Sequence, residues 1–274
     1  MTSATPIPRT LYIHDDLSDD LRALGEGSRS WRLGQALFAL LRRDAGRIVV
    51  LTLAQQLEGL VARGDHAPFA TTVGIGRAGV RVAEAVHART GWFPSIHRVD
   101  LWREEDDGGG YVLAGPAPLA AQVSALPNGS VAVVDDTVFS GLTMRTVLAA
   151  LSQACGERLH AFCLRAVAES LPGVAALAPV TAGFAAPGRI LDDVSFINAS
   201  GLVRRGAIRR TGRLPLAFYE RPEWMEAWFP ADHEEITALC RELAVELDTD
   251  LVRAPALPAQ PDLGGSSGAG RRPA

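Results

Sequence analysis

Apolar positions along the chain fall into short unbroken runs separated by stretches with helical spacing. Thr71–Ile75, Ser95–Val99, Val131–Val134 and Leu159–Leu164 have the length and the β-branched content of buried strands, and Val180–Gly183 is a further candidate. Val80–Arg89, Leu119–Ser124 and a segment starting at Leu142 read as helices; the last sets Met144, Val147, Leu148 and Leu151 on one face. Upstream, Leu11–His14 suggests a short strand, and Leu17–Leu24 and Trp31–Arg43 suggest helices. Ile48–Leu53 fits either a strand or the start of a third helix, and Gln55–Ala62 is helical. The final helix is Asp232–Leu247. Strands alternating with helices predict an α/β fold, a parallel β-sheet flanked by helices.

Composition divides the chain further. Residues 1–10 and 254–274 are rich in Pro, Gly, Ser and Thr and are expected to be disordered. Residues 11–253 form the expected folded domain. Its core spans about 66–190, and 11–65 and 190–253 are expected to form a cap, or hood, over the sheet. Residues 101–115 contain four acids and the glycines 108–110 and read as a long loop; Asn128-Gly129 marks a turn.

A hydrophobic content of 47% supports a sizeable core, and a net charge of −4 gives no push toward nucleic acid. No apolar run is long enough to span a bilayer. The first residues lack the basic-then-apolar layout of a signal peptide, so the expected compartment is the cytoplasm. Cys155, Cys163 and Cys240 are odd in number and widely spaced, which indicates neither a disulfide framework nor a cysteine zinc site. All 27 basic residues are arginine. A phosphate-loop lysine is therefore excluded, and cationic contacts to phosphate must come from arginine, whose planar fork binds it bidentately.

The stretch richest in chemistry is Val131–Thr143, Val-Ala-Val-Val-Asp-Asp-Thr-Val-Phe-Ser-Gly-Leu-Thr. A buried strand ends in two acids, and small hydroxyl residues and a glycine lead into a helix. At the carboxyl end of a parallel strand this pattern suits a sugar phosphate. Asp135 and Asp136 can accept hydrogen bonds from vicinal hydroxyls. The loop Thr137, Val138, Phe139, Ser140, Gly141, Leu142, Thr143 can turn N–H groups and hydroxyls onto a phosphate, with a helix N-terminus behind them.

These residues resemble the phosphoribosyl-diphosphate signature of the type I phosphoribosyltransferases. The resemblance implies that Asp135 and Asp136 hold ribose hydroxyls, with a Mg²⁺ ion reached through substrate or water, and that Ser140, Gly141 and Thr143 hold the 5′-phosphate. Phe139 departs from the small or acidic residue the family carries there, which argues against a hypoxanthine-guanine enzyme. The family also places a diphosphate loop after the first core strand, and Gly76, Arg77, Ala78 and Gly79 resemble it. Within loop 101–115, Arg103 is the cation expected to close over the diphosphate. The absence of lysine there puts the orotate subtype in doubt. Trp228 and Phe229, from the aromatic cluster Phe218, Tyr219, Trp224, Trp228 and Phe229, are the expected stacking surface for a planar acceptor. The arginines 204, 205, 209, 210 and 213 read as a solvated basic face.

The implied activity is Mg²⁺-dependent transfer of 5-phosphoribose from phosphoribosyl diphosphate to a nitrogen heterocycle, with Asp135, Asp136 and Arg77 as the central residues. Family resemblance is compatible with a homodimer. Two other readings stay open. One is a sensor of the same fold that binds without catalysis. The other is a nicotinamide-dependent oxidoreductase, because Gly74-Ile75-Gly76-Arg77-Ala78-Gly79 satisfies G-x-G-x-x-G and Asp100 ends the next strand.

Overall fold

The structure is a computed structural model, and it describes residues 10–253 except 109, 125, 127, 128, 156, 157 and 189–195. The ends expected to be disordered, beyond Thr10 and Arg253, and Asn128 of the expected turn lie outside the described residues. In chain order the elements are β1 (Leu11–Asp15), α1 (Ser18–Ala23), α2 (Arg29–Leu41), β2 (Ile48–Thr52), α3 (Leu53–Val61), β3 (Thr71–Ile75), α4 (Gly76–Thr90) and β4 (Ile96–Val99). They continue with β5 (Trp102–Glu105), β6 (Tyr111–Ala114), α5 (Leu119–Val123), β7 (Val131–Val138), α6 (Leu142–Cys155), β8 (Leu159–Val167), α7 (Leu171–Ala175) and β9 (Val180–Ala186). The last are β10 (Phe196–Asn198), α8 (Ala199–Val203), β11 (Ile208–Arg210), β12 (Arg213–Leu216), α9 (Pro222–Trp228) and α10 (His233–Arg253).

The fold is α/β, with parallel sheets flanked by helices. The central sheet is wholly parallel, in the order β4-β3-β7-β8-β9. Alternation along β7 shows how it is covered on both faces. Val131 and Val133 pack with Met144, Val147, Leu148 and Leu151 of α6. Ala132 and Val134 pack with Leu57 and Leu60 of α3 and Val82 and Val86 of α4. After β3 the chain turns one way to β4 and then the other way to β7. The crevice outside the carboxyl ends of β3 and β7 is therefore the switch point where α/β sheets bind ligands.

A second parallel sheet, β10-β1-β2, is built from the two outer segments. With α1, α2, α8, α9 and α10 it encloses its own core, which includes Ile13, Phe38, Leu202, Met225 and Leu243. Local signals stop and start its helices: Ser28 caps α2 through the Trp31 N–H, and Thr52 and Gln55 form a reciprocal capping box on α3.

Several expected boundaries move. Strand β7 does not end at its acids but runs through them to Val138, and β8 and β9 run to Val167 and Ala186. Backbone pairing with β8 continues at Asp135↔Cys163 and Thr137↔Arg165, because ladder hydrogen bonds do not depend on side-chain polarity. Gly76–Gly79 is the first turn of α4, not a loop before it. Residues 101–115 are not an open loop. They contain the antiparallel hairpin β5–β6, which joins β11 and β12 in a four-stranded sheet in the order β12-β11-β5-β6.

Helix α3 seats directly on the central sheet where its Gly59 meets Gly183 of β9. A Cβ on Gly183 would lie 2.8 Å from the Gln56 carbonyl and 2.9 Å from both the Leu60 nitrogen and the Leu164 carbonyl. All three are backbone atoms, which cannot swing aside. Gly183→Ala is expected to destabilise the protein by about 1–3 kcal/mol, read as a lower denaturant midpoint with an unchanged slope.

Candidate functional site

The crevice between the two units is a cleft of about 690 Å³. Gly76, Arg77 and Ala78 line it from the first turn of α4, Asp135 and Asp136 from β7, and Thr137, Phe139 and Thr143 from the segment that follows. Arg103 reaches in from the hairpin. A recess of about 30 Å³ is formed by Thr137, Val138, Phe139, Ser140, Gly141, Leu142 and Thr143, with Asp135 and Arg103 on its wall. Gly141 sits at φ +71°, a conformation that favours glycine, and α6 begins immediately after it. Helix N-termini present unpaired N–H groups, so the recess is suited to an anion.

Two sequence-predicted residues are placed elsewhere. Gly79 is buried against β7: a Cβ there would lie 2.3 Å from the Val134 carbonyl oxygen. Its role is close helix–strand packing. Phe229 is buried in the core of the second unit with Met225 and Ile236. Trp228 packs in the same core and also lines an adjoining cavity of about 430 Å³.

The two acids differ in surroundings. Successive strand residues face opposite ways, so Asp135 turns to the hydroxyl recess and Asp136 to the other side, toward the adjoining cavity and His14. Asp136 is engaged by Arg165, a side chain with no exposed surface that the sequence reading missed. Arg165 Nη2 donates to Asp136 Oδ2 at 2.9 Å and to Asn198 Oδ1 at 2.6 Å, and Nη1 donates to Gln56 Oε1 at 3.0 Å. Gln56 Nε2 in turn donates to His14 Nδ1 at 2.7 Å. This network joins β7, β8, β10, α3 and β1.

Electrostatics follows the geometry. Burial, reinforced by the neighbouring Asp136 charge, pushes the Asp135 carboxyl well above the usual range. Burial, the largest single influence, works against ionisation of Asp136, but Arg165 together with smaller contributions, among them the Thr137 hydroxyl, outweighs it and holds that carboxyl below its ordinary value. Burial first, then Arg165, brings His14 down to about 3, so its ring is neutral at pH 7 and can accept from Gln56. Arg103 is flanked by two rings, its guanidinium 5.4 Å from Tyr111 and 5.5 Å from Phe139. That contact gives the departing Phe139 a role: it supplies a face for the cation. Asp100, the acid a dinucleotide site would use, instead accepts from Arg98 Nε at 2.7 Å.

Two of the hairpin's four acids are held in ion pairs. Glu105 meets Arg221 at 2.6 Å and Asp107 meets Arg213 at 2.9 Å. The basic cluster is likewise not simply a solvated face: Arg204 pairs with Asp20 and Arg205 with Glu220.

No protein-family model matches the sequence, and no curated protein matches it. A purine phosphoribosyltransferase from Pyrococcus horikoshii Ot3 is 14% identical, over 68% of this chain and 92% of its own, with a TM-score of 0.34. An adenine phosphoribosyltransferase from Rhodothermus marinus DSM 4252 is 16% identical, over 49% and 79%, with a TM-score of 0.38. A hypothetical protein from Neisseria gonorrhoeae with bound ppGpp is 13% identical, over 85% and 97%, with a TM-score of 0.39. Likeness at this level carries no argument about function, which rests on the site itself. No helix among the described residues is long and apolar enough to cross a membrane.

Two predictions test the network. Arg165→Met should cost roughly 3 kcal/mol, the low end for a buried pair, because Asp136 keeps 20% of its side chain exposed. Adding Asp136→Asn should recover part of the loss in a double-mutant cycle by denaturation. His14 is depressed in the fold, so as pH falls below its ordinary 6.5 only the unfolded chain takes up its proton. Its contribution to stability is complete above pH 6.5 and lost toward pH 3. His14→Asn should therefore gain on wild type steadily over that window in parallel melting curves.

Proposed function

We propose that the chain binds phosphoribosyl diphosphate and transfers its 5-phosphoribosyl group to a planar acceptor. One observation carries the reading. The hydroxyl recess of residues 137–143, Asp135 with Asp136, the α4 N-terminus with Arg77, and Arg103 all line one cleft at the sheet's switch point. In this reading the recess holds the 5′-phosphate and Asp135 and Asp136 hold the ribose hydroxyls. Arg77, Arg103 and the first turn of α4 face the diphosphate.

Mg²⁺ fits only one mode. Among the described residues no group of three or more His, Cys, Asp or Glu side chains could hold a metal, and Asp136 commits one oxygen to Arg165. Mg²⁺ is commonly bound by one or two carboxylates together with substrate phosphates, so it would enter with the donor, with Asp135 and Asp136 reaching it through water or the sugar. When bound it neutralises charge on the departing diphosphate.

In the transfer, the bond from the anomeric carbon to the diphosphate oxygen breaks and diphosphate leaves with the electron pair. The acceptor nitrogen's lone pair forms the new carbon–nitrogen bond, and that nitrogen loses its proton to solvent. The arginines stabilise the leaving charge. The acids fix the sugar while positive charge develops on its ring. The hairpin, paired with β11, forms part of the cleft wall and brings Arg103 to it.

The test is calorimetric titration of phosphoribosyl diphosphate with Mg²⁺, beside NAD⁺, into wild type, Asp135→Asn and Ser140→Ala/Thr143→Val. Saturable binding to wild type is expected, weakened at least about tenfold in both variants. Diphosphate release with an acceptor panel then separates an enzyme from a sensor. Absent binding, or binding indifferent to these residues, overturns the reading, and NAD⁺ binding lost on Asp100→Ala replaces it with the dinucleotide site.

A further inference from the structure

Asn198 brings an amide from the second unit to the cleft wall. It ends β10 and stands at the N-cap position of α8. An asparagine there ordinarily turns back to accept from the first free N–H groups of the helix. Asn198 makes no such cap. Asp16, from the turn after β1, takes that role: it accepts from the Ser200 N–H at 2.8 Å and from the Ser200 hydroxyl. The Asn198 side chain is thereby released from its local task.

Arg165 fixes which way the amide points. A guanidinium only donates, so Arg165 Nη2, at 2.6 Å, meets the amide oxygen, and the NH₂ group is turned away from it. Asn198 is half-buried, and among the described residues its Nδ2 has neither an acceptor nor a cover that shuts it from solvent. The same Arg165 Nη2 donates to Asp136 Oδ2. The Thr137 hydroxyl donates to that oxygen too, at 3.1 Å, which leaves Asp136 Oδ1 open. An open donor and an open acceptor are therefore held through one nitrogen, on side chains that both border the 690 Å³ cleft.

We infer that Asn198 is a substrate-binding residue, whose Nδ2 donates to the same sugar hydroxyl that donates to Asp136 Oδ1. A hydroxyl suits the pair because one oxygen gives a proton to the carboxylate and accepts one from the amide. Resting on the phosphoribosyl reading of the cleft, this grip makes the sugar site a joint product of both units. Asp136 and Asn198 share one hydroxyl, and Asp135 serves the other.

The test titrates ribose 5-phosphate, 2-deoxyribose 5-phosphate and 3-deoxyribose 5-phosphate into wild type, Asn198→Asp and Asn198→Leu. Wild type should bind the ribose compound at least about fivefold more tightly than either deoxy compound. Asn198→Asp keeps an oxygen toward Arg165 and loses the donor, and its added charge acts on all three phosphates alike. Its melting temperature should hold, while its preference over one deoxy sugar collapses to within about twofold. The preference over the other, which Asp135 serves, should remain. Asn198→Leu offers Arg165 no oxygen, so it should lose the same preference and melt at a lower temperature. A variant pair that keeps both preferences, or weakens all three sugars equally, overturns the inference, because the amide then serves only Arg165 or solvent. Phosphoribosyl diphosphate with Mg²⁺, titrated in parallel, separates the two claims. Donor binding with sugar preferences indifferent to Asn198 sinks only the role of Asn198. A sugar preference that depends on Asn198, without donor binding, sinks only the transferase. Wild type that binds neither sugar phosphate nor donor sinks both.

Discussion

A single buried cation holds the two halves of this protein in register. Arg165 has no exposed surface, and its guanidinium meets Asp136 from the central sheet, Asn198 from the second sheet and Gln56 from the helix between them. An arginine in that position is costly to desolvate, and it persists only because planar donors match several oxygens at once. The geometry is demanding: β7, β8, β10 and α3 must all arrive together. The cleft lies where they arrive.

The same contact sets the character of the two acids. Adjacent aspartates in a low-dielectric crevice cannot both ionise freely. Here the conflict is resolved by position. Asp136 faces Arg165 and stays charged, and Asp135 faces the hydroxyl recess with its carboxyl pushed toward the neutral form. A pair that reads in the sequence as one twofold grip is in the fold two groups with different partners. One is part of the structural network and both line the cleft.

The parts of the fold written in local pattern were legible. The apolar runs at 71–75 and 131–134, the helical faces of α4 and α6, and the turn into α6 at Gly141 follow from spacing and from small residues at tight turns. The less legible parts depend on partners far along the chain. Arg165 sits just beyond an apolar run, and its partners lie 29, 33 and 109 positions away. The hairpin 102–114 looked like a loop because four acids and a glycine run suppress strand character. In the fold it is a strand pair, with two of those acids met by Arg213 and Arg221 from more than 100 residues on. Gly79 matched a binding loop in sequence, and only the approach of Val134 shows that packing requires it. Phe229 reads as a stacking ring for the acceptor beside Trp228, but in the fold it is buried in the core after α9.

Charge placement ties the cleft together. With no lysine in the chain, every fixed cation is a guanidinium. Around the cleft these divide into two sets. Arg165, Arg204 and Arg205 face carboxylates, whereas Arg77, Arg103 and Arg209 line the cleft and, among the described residues, make no ion pair. Pairing the first set cancels the acids that would otherwise repel an anion. Leaving the second set unpaired concentrates positive potential in a partly dry crevice, where it acts most strongly. Cations fixed before a ligand arrives need no reorganisation when charge appears on a leaving group. Mobile lysines on a flexible loop would have to be ordered at that moment. The Glu105–Arg221 and Asp107–Arg213 pairs tie the hairpin to later segments of the chain, so Arg103 is carried on paired strand backbone.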